Sequence, residues 1–107
     1  MDTRDLDLLV LNAACDDWEN MASIRTDVES SPQGAPVEES ALASSLLRLV
    51  HKGLLSAHEF SGGTFVPLSA DSVDASIVAK LWFFVTAEGR RMLDENVAFF
   101  ASEEQQD

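Results

Sequence analysis

Four sets of side chains in this 107-residue chain have the types that chemistry uses: His51 and His58, Cys15, the acidic pairs Asp16/Asp17, Glu38/Glu39 and Asp94/Glu95, and the aromatic group Trp18, Trp82, Phe83 and Phe84. The two histidines would suggest a metal pair, but they straddle a helix-to-strand junction and no third ligand follows at zinc-like spacing. A metal site is therefore not expected. Cys15 would serve as a redox sensor only with a lowered thiol pKa, and its acidic neighbours Asp16 and Asp17 act in the opposite direction. It reads as an inert, buried thiol. Each acidic pair is adjacent in sequence, so its members diverge on a helix and suit caps and solvated faces better than paired acid–base work. The aromatic group would line a small-molecule pocket or, in a domain this small, form the core. No nucleophile elbow, phosphate loop or cofactor fingerprint occurs, so the chain is expected to be non-enzymatic and without a cofactor.

These residues must be positioned by a single small domain, expected to span residues 1–107 with frayed ends at 1–4 and 103–107. The composition is 46% hydrophobic, enough for a core, and 19 acidic residues against 7 basic give a net charge of −12. The acidity therefore sits on a folded surface that repels phosphate at long range. No uninterrupted apolar run is longer than Leu81–Val85, which falls far short of the roughly 20 residues that span a bilayer, so no membrane partner is expected. Met1 leads straight into Asp2, Arg4, Asp5 and Asp7, unlike a signal peptide. With one cysteine and no such leader, the expected compartment is the cytoplasm.

Periodicity predicts a first helix over Thr3–Cys15, capped by Thr3, with Asp5 and Asp7 in its first turn. Leu6, Leu9, Val10 and Ala13 share one face; Leu8, Leu11 and Cys15 share the other, so the helix must be buried on both sides. Asp16 and Asp17 read as a turn and cap for a second helix, Trp18–Glu29, with Met21, Ile24 and Val28 inward. Pro32, Gly34 and Pro36 end it in a loop. A third helix runs from Val37 or Glu38 to Lys52, with Leu42, Leu46, Leu49 and Val50 inward and Gly53 as its left-handed terminator. Leu55–Phe60 and Thr64–Leu68 form a hairpin around Ser61, Gly62 and Gly63. Residues 69–80 read as a loop with a short helix, and Leu81–Thr86 as a strand completing the sheet. Thr86 caps a last helix, Ala87–Ser102, with Met92, Leu93, Val97 and Phe100 inward and Phe99 left on a flank.

The order of helix, helix, helix, hairpin, strand and helix, with Leu46, Leu49, Lys52, Gly53, Leu54 and Leu55 at the first junction and Phe84, Thr86, Glu88, Gly89, Arg90 and Leu93 at the second, resembles the winged helix-turn-helix regulators of the PadR and MarR kinds. The resemblance covers residues 6 to 93. It implies an α+β fold with three N-terminal helices, a β-hairpin wing with an additional strand, and a C-terminal helix. It also implies a transcriptional regulator that places its third helix in the major groove of DNA. The groove-facing residues it implies are Ser40, Ser44, Ser45 and Arg48, with His51, Lys52 and Arg90 nearer the phosphates. Arg48 has a second reading, as a solvated side chain pairing with Ser44 or a nearby carboxylate on its own helix.

Charge is divided in keeping with that reading: residues 1–39 carry −8, residues 40–91 carry +1 and residues 92–107 carry −5. The hairpin departs from the family, because residues 53–79 contain no Lys or Arg. An alternative function follows from the uncharged wing with Phe60, Phe65 and Val66: an interaction module that binds a basic protein partner and no DNA. The outward set Leu8, Leu11, Cys15 and Phe99 predicts a homodimer interface on the first and last helices.

Overall fold

A computed structural model describes residues 2–101. The chain is α+β, and the described residues form five helices and one antiparallel four-stranded sheet. In chain order the elements are α1 (Thr3–Ala13), β1 (Glu19–Asn20), α2 (Met21–Ser30), α3 (Glu39–His51), β2 (Leu55–Ser61), β3 (Thr64–Leu68), β4 (Trp82–Val85), α4 (Ala87–Glu95) and α5 (Val97–Ala101). Two short 3-10 turns, Ala70–Ser72 and Val78–Lys80, lie between β3 and β4.

Helix α1 is the centre of the helical layer and packs against α2, α3 and α4. Asp2, rather than Thr3, caps it, its Oδ1 accepting from the Asp5 amide at 3.1 Å. The whole run Leu6–Leu11 is buried. Burial on both sides, read from the sequence, is thus met inside one chain. Leu8 and Leu11 have no exposed surface, so they do not offer the free apolar face from which a homodimer was expected. A three-neighbour helix needs two apolar sides to fill its own domain.

The segment after α1 differs from its sequence reading. Trp18 does not begin a helix: Glu19 and Asn20 are extended and pair with Phe83 and Trp82 of β4. The cap of α2 is therefore Asn20, whose Oδ1 accepts from the Ser23 amide at 2.9 Å, and not Asp16 or Asp17. Pairing across the sheet outweighs the local helical pattern here.

Helix α3 follows its predicted stripe, with Leu42, Leu46, Leu49 and Val50 all buried. Gly53, at φ +77°, lets the chain leave the helix in the left-handed region, and the Leu54 amide bonds back to the Leu49 carbonyl at 2.9 Å. The strands are ordered β1-β4-β2-β3. Gly62 and Gly63, at φ +60° and +82°, give the two-residue hairpin turn between Ser61 and Thr64. Val73 and Val78 of the intervening segment are buried beside α2 and α3, which ties the 69–81 connection to the helical layer.

The last helix is interrupted. Asn96 leaves helical geometry at φ −117°, ψ 25°; its Nδ2 donates to the Met92 carbonyl at 2.8 Å, and Arg4 donates to its Oδ1. The break resets the helical phase, so Val97, expected inward, is 62% exposed. Phe99 and Phe100 pack against the core instead, ring to ring. Among the described residues no helix is long and apolar enough to cross a membrane.

Candidate functional site

The residues expected to read DNA are only partly brought together. Ser40, Ser44 and His51 do share an exposed face of α3, and exposed Lys52 follows them. Ser45 does not: it is fully buried, and its hydroxyl donates to Asp7 Oδ1 at 2.6 Å. Arg48 is turned to the same carboxylate, with Nη2 2.7 Å from Oδ1 and Nε 3.2 Å from Oδ2. Asp7 is 6% exposed and sits on α1, against which α3 packs. The hydrogen bonds to Asp7 raise the Arg48 pKa further, so its charge is fixed and its fork is occupied. Arg48 therefore fastens α3 to α1, and its carboxylate partner lies on another helix, not on its own.

Arg90 is likewise engaged, its Nη2 donating to the Cys15 carbonyl at 2.7 Å. Arg4 bonds to Asn96, Arg25 pairs with Glu29, and Arg91 pairs with Glu88. The guanidinium of every arginine among the described residues thus has a hydrogen-bond or ion-pair partner within the chain. Lys52 and Lys80 are the cations without one among those residues.

Of the expected interface residues, Cys15 is half-buried and its thiol lies 3.8 Å from Asn12 Oδ1. Burial, then the charge of Asp16, pushes this thiol pKa up. Among the described residues no group of three or more His, Cys, Asp or Glu is placed to hold a metal ion. His51 contacts the Val73 carbonyl through Nε2 at 3.1 Å.

Strand alternation builds a second candidate site. Leu55, Ala57, Phe83 and Val85 point into the core, so Ser56, His58, Phe60, Trp82 and Phe84 point to the opposite side of the sheet. Phe65, paired with Phe60, joins them from β3. Trp18 lies across this outer face, stacked on Phe65 with centroids 4.5 Å apart and planes 5° apart, and 5.3 Å from Phe84. Phe65 also meets Phe60 at 5.1 Å and Trp82 at 5.6 Å. Only Phe83 of the aromatic group is core; Trp18, Trp82 and Phe84 remain partly exposed on the outer layer. The extended conformation of 18–20 puts them there, and the helical reading of Trp18 hid it.

His58 lies inside this layer, edge-on to Trp18 at 4.3 Å. The Ser56 hydroxyl donates to the Phe84 carbonyl at 3.1 Å and so accepts from His58 Nε2 at 2.9 Å. That assigns the proton to Nε2 and leaves Nδ1 buried without a partner. Burial lowers the His58 pKa, which keeps the ring neutral.

Comparison of the chain with family models, with curated proteins and with solved structures gives no match.

Proposed function

We propose that the chain is a winged-helix protein-interaction module, non-enzymatic, which binds a basic protein partner and no DNA. In this reading α3 corresponds to the recognition helix and β2–β3 to the wing. The observation that carries it is the engagement of all five arginines within the chain, Arg48 foremost. Phosphate contacts supply most of the affinity of DNA-binding proteins, and two lysines on a chain of net charge −12 leave little to supply them. Apart from these two lysines the free charges on this surface are carboxylates, whose complement is a cationic protein segment.

The test is a pair of titrations at about 50 mM salt, where electrostatic binding is strong. The full chain is mixed with labelled duplex DNA of random sequence and, separately, with a labelled lysine homopeptide. Saturable binding of the peptide and none of the duplex is the expected result. Duplex binding that survives competition by unrelated sequence would overturn it. A second reading, the DNA-binding regulator, is favoured by Ser40, Ser44 and His51 on one exposed face of α3 with Lys52 beside them. It requires that result and, in addition, loss of duplex affinity in Lys52→Ala.

A further inference from the structure

We propose that the outer face of the sheet is the docking surface, and that it takes an arginine-bearing segment of the partner by stacking guanidinium groups on Trp18, Phe65 and Phe60. The inference rests on the interaction-module reading and gives it a place and a preferred side chain.

The face is built for such an occupant. Six ring-bearing residues from four segments of chain are gathered on one side of a sheet whose other side already holds the core. Phe60 at its rim is 54% exposed. No Lys or Arg occurs in residues 53–79, so β2 and β3 bring no cation to this face. Asp16 and Asp17, both exposed, lead directly into Trp18. Of the cations flanking these segments, Arg90 is held on the Cys15 carbonyl, and Lys80 lies two residues before Trp82. Exposed aromatic faces beside carboxylates attract a planar cation through both the ring quadrupole and charge.

Other occupants fit less well. A second copy would bring another −12 against this one, and nucleic acid would bring phosphates to Asp16 and Asp17. Adding a strand at the edge is blocked by Pro67. The two-residue turn makes Ser61–Thr64 a hydrogen-bonded pair, so alternation points the backbone groups of Phe65 and Pro67 outward, and Pro67 has no N–H to offer. The partner therefore lies over the face and not along its edge.

Both tryptophans of the chain lie on this face and there is no tyrosine, so intrinsic emission reports on it directly. The full chain is titrated with octa-arginine and with octa-lysine. We expect octa-arginine to change the emission saturably and to bind at least about threefold more tightly than octa-lysine, reflecting guanidinium stacking. Phe60→Ser should weaken octa-arginine about threefold or more. The pair Asp16→Asn and Asp17→Asn should weaken it more than Asp71→Asn with Asp94→Asn, and keeps the test open should Phe60→Ser not fold. Equal affinities for the two peptides with unchanged emission would overturn the proposed face while leaving a charge-driven interaction module. Failure of both peptides to bind would overturn the module reading as well. Tryptophan quenching by single-stranded oligonucleotide would assign the face to nucleic acid and end the proposal.

Discussion

Arg48 of α3 holds Asp7 of α1 in a forked contact, and the Ser45 hydroxyl completes the grip on the same carboxylate. Three polar groups separated by 38 and 41 residues in sequence are thereby joined between two helices. Asp7 is nearly buried, whereas the Arg48 side chain keeps 34% of its surface, so the cation remains partly solvated. This geometry makes the two partners unequal. Removing the arginine abandons a desolvated carboxylate; removing both costs far less.

Arg48→Ala is therefore expected to lower stability by about 2–4 kcal/mol, somewhat below the usual cost of breaking a fully buried pair because Arg48 is partly hydrated. Combining Arg48→Ala with Asp7→Leu should recover most of that loss. Denaturant unfolding of the two variants beside the parent chain measures both. A single variant as stable as the parent would show that the contact contributes little.

The contact also explains where the sequence was legible and where it was not. Elements coded by neighbours came through: the Leu42–Leu46–Leu49 stripe, the Gly53 exit, the Gly62–Gly63 turn and the Thr86 cap depend on residues within a turn or two. Arg48 on the flank of α3 reads as a DNA-contacting residue or as a cation paired on its own helix, because its actual partner is 41 residues away. A signal was present in Asp7 itself, the one acid inside the Leu6–Leu11 run of a helix expected to be buried on both sides. Such an acid needs a cation from another element. The outer aromatic face was missed for a related reason. Trp18 has helical spacing in the chain, and only pairing of residues 19 and 20 with β4 makes it extended.

Gly89 tests how closely α4 approaches the start of β2. A Cβ there would lie 2.1 Å from the Leu54 carbonyl oxygen and 2.7 Å from Val85 Cγ2, so backbone must shift. The same turn is held by Thr86, whose hydroxyl donates to the Gly53 carbonyl at 2.7 Å and accepts from the Gly89 amide at 3.1 Å. Gly89→Ala gains helix propensity yet should lose about 1–3 kcal/mol overall through overpacking. Thr86→Ala should lose about 1–2 kcal/mol as a missing cap. Thermal unfolding of each variant checks the two values, and a stabilised Gly89→Ala would contradict the contact.

Net charge supplies a third expectation. With 19 acidic and 7 basic residues, and Arg25, Arg48 and Arg91 already ion-paired within the chain, the folded surface repels itself. Raising salt from about 10 mM to 150 mM shortens the screening length from about 30 to 8 Å and should raise the melting temperature. The surface pairs Arg25–Glu29 and Arg91–Glu88 weaken in salt, but exposed pairs contribute little, so repulsion decides the sign. A melting temperature that falls over this range would show that paired charges outweigh the excess of carboxylates.

His58 makes stability depend on pH in a predictable sense. Its Nε2 proton is used by Ser56, and its bare Nδ1 is enclosed with Trp18 edge-on to the ring, so adding a proton places an unpaired charge among aromatic side chains. The folded-state pKa is accordingly lower than the ordinary value of 6.5. The unfolded chain then binds more protons than the folded one below that pH, and stability falls as pH drops from about 6.5 toward the folded-state value. Above 6.5 the contribution is fully present. Glu19 acts at lower pH and in the opposite sense, because burial and the charges of Asp27 and Asp17 raise its carboxyl pKa. Denaturant midpoints measured between pH 7.5 and 5, a span centred near the ordinary histidine pKa of about 6.5, should therefore decline in the parent chain and flatten in His58→Phe. Equal slopes in the two proteins would mean that His58 already accepts its proton in the folded state. The aromatic layer would then tolerate a cation within it as well as above it.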